Sequence, residues 1–163
     1  MTDLKLLAIE PEDLQIVSAH LQDAVVTVSD IAYLPREKRF AAMLNRFDWP
    51  GAEDTDKRQG RDYKSSGRQE LSYTRRRTAL RFEGVIAARL KGIDLADKKR
   101  VLNLLAIQFE PAVNGDPAGS VSLIFAGGAG IRLDVECIEA EMRDMGGAWS
   151  TSSKPDHAAA DDT

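Results

Sequence analysis

Thr78-Ala79-Leu80-Arg81-Phe82-Glu83-Gly84-Val85-Ile86-Ala87-Ala88-Arg89-Leu90-Lys91 is the stretch that decides the fold. Leu80, Phe82, Ile86, Ala88 and Leu90 share one parity. Arg77, Arg81, Glu83, Arg89 and Lys91 share the other. Alternation with period two places apolar side chains on one side of a pleated strand and charged ones on the other. The pattern persists across Gly84, which sits on the apolar parity, so it predicts one long curved strand with a bend at the glycine.

The same reading extends outward. Val121, Leu123 and Phe125 alternate, Gly127-Gly128-Ala129-Gly130 supplies a turn, and Ile131, Leu133 and Val135 return from it with Arg132, Asp134 and Glu136 facing out. This is a hairpin pattern. Val101, Leu105, Ile107 and Phe109 predict the preceding strand, with Leu102 and Leu104 buried on its other side at the start. Residues 24–34, interrupted near Ser29-Asp30, and residues 39–49 form a second hairpin around Leu34-Pro35-Arg36-Glu37-Lys38.

Residues 4–9 read as a short first strand. Glu10-Pro11 then opens a helix, because proline suits a first helical position and acids suit the positive helix end. Leu14, Val17 and Leu21 make its buried stripe, which ends near Gln22. Residues 138–145 fit either a helical stripe or a strand after a bulge, and their glutamate and alanine content favours helix.

The layout has no internal repeat and no βαβ rhythm. It predicts an α+β fold of six to seven antiparallel strands with one or two helices. The sheet is curved or barrel-like, and a pleckstrin-homology-like barrel is one architecture that matches. One domain spans residues 1–149. Residues 50–70 read as a flexible charged loop, since they hold almost nothing apolar, and residues 150–163 as a disordered tail.

Several segments resemble a small bacterial family, domain of unknown function 2948. They are Leu4–Ile9 with the following helix, Asp30-Ile31-Ala32-Tyr33-Leu34-Pro35, Leu44-Asn45-Arg46-Phe47-Asp48-Trp49, and Phe125-Ala126-Gly127-Gly128 with Ile131-Arg132-Leu133-Asp134-Val135-Glu136. The resemblance covers roughly residues 3–150 outside the charged loop. It implies a bacterial, cytoplasmic protein and carries no activity, cofactor or catalytic residue.

Composition narrows function by exclusion. The 163 residues carry a net charge of −4, so the chain as a whole is no nucleic-acid coat. No apolar run approaches the roughly 20 residues of a membrane span, and residues 1–10 lack the features of a secretory leader. A single cysteine, Cys137, excludes an internal disulfide and fits a reducing cytoplasm.

No chemical motif stands out. Cys137 follows an inward-facing strand pattern and reads as a small apolar packing residue. His20, late in the first helix, reads as a boundary residue, and His157 as a solvated one; with Cys137 they make no metal-ligand spacing. Counted from Asp54, an EF-hand would place its glycine at Gln59 and its glutamate at Ser65, so that motif fails. The glycines at 127–130 lack the lysine of a phosphate loop. Asp134 and Glu136 read as cross-strand partners for arginine. Neither a metal nor a cofactor is expected.

One feature is unusual. Residues 57–91 carry +8 while the remainder carries −12, a strongly two-sided charge distribution. Arg75, Arg77 and Arg81 share a strand parity beside Arg76, and Arg58, Arg61, Lys64 and Arg68 precede them. Tyr63 and Tyr73 are interleaved as stacking candidates. The leading expectation is a non-catalytic interaction domain that docks a protein partner or itself. The alternatives are an anion-binding module for nucleic acid or anionic lipid through this segment, and an enzyme whose site has no recognisable motif.

Overall fold

The computed structural model describes residues 4–48, 74–113 and 117–150. They form ten strands and one α-helix: β1 (Lys5–Ala8), α1 (Pro11–Leu21), β2 (Val25–Thr27), β3 (Ile31–Leu34), β4 (Arg39–Asp48), β5 (Thr74–Glu83), β6 (Val85–Lys91), β7 (Val101–Pro111), β8 (Gly119–Phe125), β9 (Gly130–Val135) and β10 (Ala140–Ser150). The α+β class holds, with ten strands rather than six or seven. The neighbour order is β1-β10-β5-β4-β2-β7-β8-β9-β6, with β3 also beside β4. Every ladder is antiparallel.

This order explains the curvature. β5 is third in the sheet and β6 is last, yet one residue, Gly84, separates them along the chain. The sheet must therefore curl until its last strand returns to its third. It stays open, because β1 and β6 each have a single neighbour in this order.

The decisive stretch is thus two strands in two halves of the sheet, and this corrects the single-strand expectation. Gly84 has φ +70°, in the left-handed region where a Cβ would be strained. The parity flips there: Phe82 and Val85 are both buried, while Ile86 is exposed. A register shift between Val85 and Ala87 then flips it back, so Ala88 and Leu90 pair with the inward-facing Leu133 and Ile131 of β9. The glycine and the bulge each shift the pleat by one residue, so the periodicity looks unbroken in the sequence.

β7 differs for the same reason. Leu102 and Leu104 are buried, whereas Val101 and Leu105 are exposed. A register shift between Leu104 and Ala106 then brings Ile107 inward. Residues 138–145 are not helical. Ile138, Ala140, Met142 and Asp144 are buried in alternation, and Ala140–Asp144 pair with β5. Strand partners on both sides, β1 and β5, outweigh a helix propensity of a few tenths of a kcal/mol per residue.

The readings of α1 and of the β8–β9 hairpin stand, whereas the charged-loop reading at 50–70 and the tail reading beyond Ser150 lie outside the described residues. α1 buries Leu14, Val17 and Leu21 and ends at Gln22, and Asp13 closes a capping box with Glu10. Val121, Leu123, Phe125, Ile131, Leu133 and Val135 are all buried. Gly127 and Gly128 take φ +82° and +87° in the turn between β8 and β9, as a glycine turn requires. Leu80, Phe82, Phe40 and Met142 line the inward side of β4, β5 and β10. The rings of Phe40 and Phe82 lie 6.4 Å apart. Burying each such side chain contributes about 1.5–3 kcal/mol.

Candidate functional site

Strand β5 carries four of the arginines singled out in the sequence, and its pleat divides them. Arg75, Arg77 and Arg81 stand outward with Ala79. Arg76 points inward with Thr78, Leu80 and Phe82 and is 2% exposed. Arg58, Arg61, Tyr63, Lys64, Arg68 and Tyr73 lie outside the described residues.

The inward side holds a buried charge cluster that sequence reasoning missed. Arg46, on the inward parity of β4, is 5% exposed. Its Nε and Nη2 donate to the two carboxylate oxygens of Asp144 at 3.0 and 2.9 Å. Such a bidentate fork is the strongest geometry open to this pair. Asp144 also accepts from the Thr78 hydroxyl at 2.8 Å and from the Leu4 amide at 2.9 Å. Arg76 Nε donates to Asp48 Oδ2 at 2.7 Å and lies 4.0 Å from Asp144. Two guanidinium groups thus face two carboxylates where β4, β5, β10 and the start of β1 converge.

The proton affinities follow from these contacts. Burial pushes the Asp144 carboxyl up, but hydrogen bonds from Arg46, Leu4 and Thr78 outweigh it, and the net direction is down. His20, on the last turn of α1, is held below the usual histidine range. Partial burial is the main cause, Arg46 adds to it, and Asp144 and Asp48 oppose it.

The outward face is built differently. Arg81 pairs with both Glu141 and Glu83. Glu83 also takes Arg39 at 2.9 Å, and Arg77 lies 3.7 Å from Asp30. Arg75 sits over the Phe47 ring, 5.1 Å from its centroid, a cation–π contact. Between these charges, Ala41, Met43, Ala79 and Met145 line a shallow groove of about 460 Å³. Two buried side-chain atoms on β4 and β5, Asn45 Oδ1 and Arg75 Nε, have no hydrogen-bond partner among the described residues.

The remaining candidates resolve simply. Asp134 accepts from Arg89 and Ser120 on the flanking strands, as cross-strand partners do, whereas Glu136, just past β9, accepts instead from Lys38 in the turn before β4. Cys137 is half-buried and lines an apolar cavity with Ile9, Pro11, Phe109 and Ile138. His157 lies outside the described residues. Among the described residues no three metal-ligating side chains cluster, and no helix is long and apolar enough to cross a membrane.

The segments quoted above as family-like occupy β1 and α1, β3, β4 and the β8–β9 hairpin. The family model described as protein of unknown function, DUF2948, matches residues 4–157. The chain belongs to this family. The match runs past both ends of the 50–70 segment and into the expected tail, so this DUF2948 member carries the family likeness over a longer span than the quoted segments suggest. No curated protein and no solved structure matches it.

Proposed function

We propose that this DUF2948 protein is a non-catalytic interaction domain, docking a protein partner or a second copy through the outward face of β4, β5 and β10. The observation that carries this reading is the groove of Ala41, Met43, Ala79 and Met145, framed by arginines that are largely paired with carboxylates of the same chain. Arginine, methionine and aromatic side chains around an apolar centre are what protein interfaces favour. A bacterial cytoplasm is the setting it assumes, in keeping with the single cysteine.

Anion binding is the second reading. Arg75 and Arg143 favour it, since both lie on β5 and β10 without an ion-pair partner among the described residues. Arg76 has no place in it, because its guanidinium is buried against Asp48.

The test is a pull-down from bacterial lysate at low and high salt. It compares wild type, Ala79→Glu and the pair Arg75→Ala/Arg77→Ala, each shown to be folded by circular dichroism. The docking reading expects one defined protein, captured by wild type and lost with Ala79→Glu. Nucleic acid or lipid captured only at low salt and lost with the arginine pair would replace docking by anion binding, since phosphate contacts release counterions. Capture of nothing by wild type removes both readings.

A further inference from the structure

Antiparallel ladders set outward-facing residues of neighbouring strands side by side. Across β6, β9, β8 and β7 one such row runs Arg89, Arg132, Ser122, Gln108. The next row toward the β8–β9 turn runs Lys91, Gly130, Ile124, Ala106. The row on the other side runs Ala87, Asp134, Ser120, Glu110.

Two features of these rows have no structural need behind them. Arg89 and Arg132 stand directly opposite each other, a like-charge pairing that sheets disfavour. Asp134 holds Arg89 at 3.0 Å. Among the described residues, however, the Arg132 guanidinium donates only to the Ser120 hydroxyl, at 3.1 Å, and the Lys91 ammonium has no partner. The second feature is Gly130. Its φ is not left-handed, and a Cβ there would meet one atom within 4 Å, the Leu123 carbonyl oxygen at 3.4 Å. Neither conformation nor crowding calls for glycine. The missing side chain instead leaves a hollow of about 500 Å³ beside Ile124, bordered by Arg89, Lys91 and Arg132, and none of the described residues lining it is a carboxylate.

We infer that this hollow binds a small molecule carrying a phosphate monoester. The phosphate lies between Lys91 and Arg132, and the organic part lies over Gly130 and Ile124. This goes beyond the docking face of β4, β5 and β10, and it uses none of the β5 arginines. Charge selects the ligand. A phosphate monoester carries about −1.5 to −2 near neutral pH, which matches the two cations that lack a carboxylate. Its oxygens also fit the guanidinium fork. Ser122 and Gln108 add neutral hydrogen-bonding groups in the row of Arg132. The volume falls within the roughly 300–1,000 Å³ of small-molecule sites. The positive charge is also confined. Asp134 and Glu110 lie in the adjoining row, so a polynucleotide or a membrane surface spreading past the hollow meets carboxylates. A compact anion does not.

The test is isothermal titration calorimetry of the full chain with phenyl phosphate at fixed ionic strength. Inorganic phosphate, oligothymidylate and vesicles containing phosphatidylglycerol are run beside it. Phenyl phosphate is expected to bind one to one, and more tightly than inorganic phosphate because its ring covers Ile124. Arg132→Gln and Gly130→Val should each weaken it at least about tenfold, with unchanged circular dichroism. Should Gly130→Val fold poorly, Arg132→Gln decides by itself. Ala79→Glu and the pair Arg75→Ala/Arg77→Ala should bind phenyl phosphate like wild type, so this inference and the docking reading fail separately. No saturable binding by wild type overturns the inference, as does an Arg132→Gln variant that binds equally well. Inorganic phosphate bound as tightly as phenyl phosphate overturns the place given to the hollow. Loss of binding in the Arg75/Arg77 pair transfers the anion to β5 and overturns it too. Tighter, Arg132-dependent binding of oligothymidylate or vesicles replaces the compact ligand with a polyanion.

Discussion

Arg76 and Arg77 are neighbours in the chain and chemically identical, yet they belong to different regions of the molecule. Arg76 lies inside, against Asp48 and within reach of Asp144. Arg77 lies outside, 3.7 Å from Asp30 and open to water. Inside, Arg46 and Asp144 cannot be separated without stranding a charge in a low-dielectric setting, where the desolvation penalty of an unpaired ion is several kcal/mol. Outside, water and salt screen the same chemistry to between about 0 and 1 kcal/mol. A run of three arginines therefore divides into structural and surface members by pleat alone.

The largest test of this contrast is Asp144→Ala. It leaves Arg46 buried without its bidentate partner and should lower unfolding free energy by about 3–5 kcal/mol in urea denaturation. Replacing the pair together, Arg46→Met with Asp144→Leu, should be less harmful than Asp144→Ala alone. If the double variant is the weaker of the two, the cluster contributes more than charge balance.

Arg76→Ala comes next. Its loss should fall below that of Asp144→Ala, since Asp48 keeps 36% of its side chain in water and can be rehydrated. Arg77→Ala should change stability by about 0–1 kcal/mol, and that small difference should fade with added salt. Equal losses for Arg76→Ala and Arg77→Ala would break the comparison.

Acid provides a smaller measure. Asp144 binds its proton less readily folded than unfolded, where the ordinary value is 3.8. Its contribution to stability is therefore complete above 3.8 and drains away as pH falls through the lower folded value. His20 behaves the same way from an ordinary value of 6.5. The folded state disfavours its cation, so stability declines slightly as pH drops below 6.5. In pH-dependent thermal melts His20→Gln should flatten the shallow decline below 6.5. Asp144→Asn should remove the steep loss below 3.8.

How much of this was legible in the sequence depends on whether each residue's phase was local. The β8–β9 hairpin was fully readable, because its alternation and its glycine turn occur within one short segment. The inward parity of β4 was readable too: Phe40, Ala42 and Leu44 lead directly to Arg46. What hid the charge cluster was Asp144. It lies inward only if residues 138–145 are a strand, and their composition favours helix. The phase of β6 and the start of β7 was hidden by register shifts, which move every following side chain to the other face and leave no mark in composition.

Local alternation and turn residues by themselves determined the α+β class, the placement of α1, most of the core and the outward alignment of Arg75, Arg77 and Arg81. Only the tertiary structure decided that β5 and β6 are separate strands, that β10 exists, that Arg76 and Arg46 share Asp144, and that β6 comes last in the strand order of the described residues. Those outcomes depend on which strands come to lie side by side. A ladder partner or a buried counter-charge far along the chain outweighs local propensities worth a few tenths of a kcal/mol per residue.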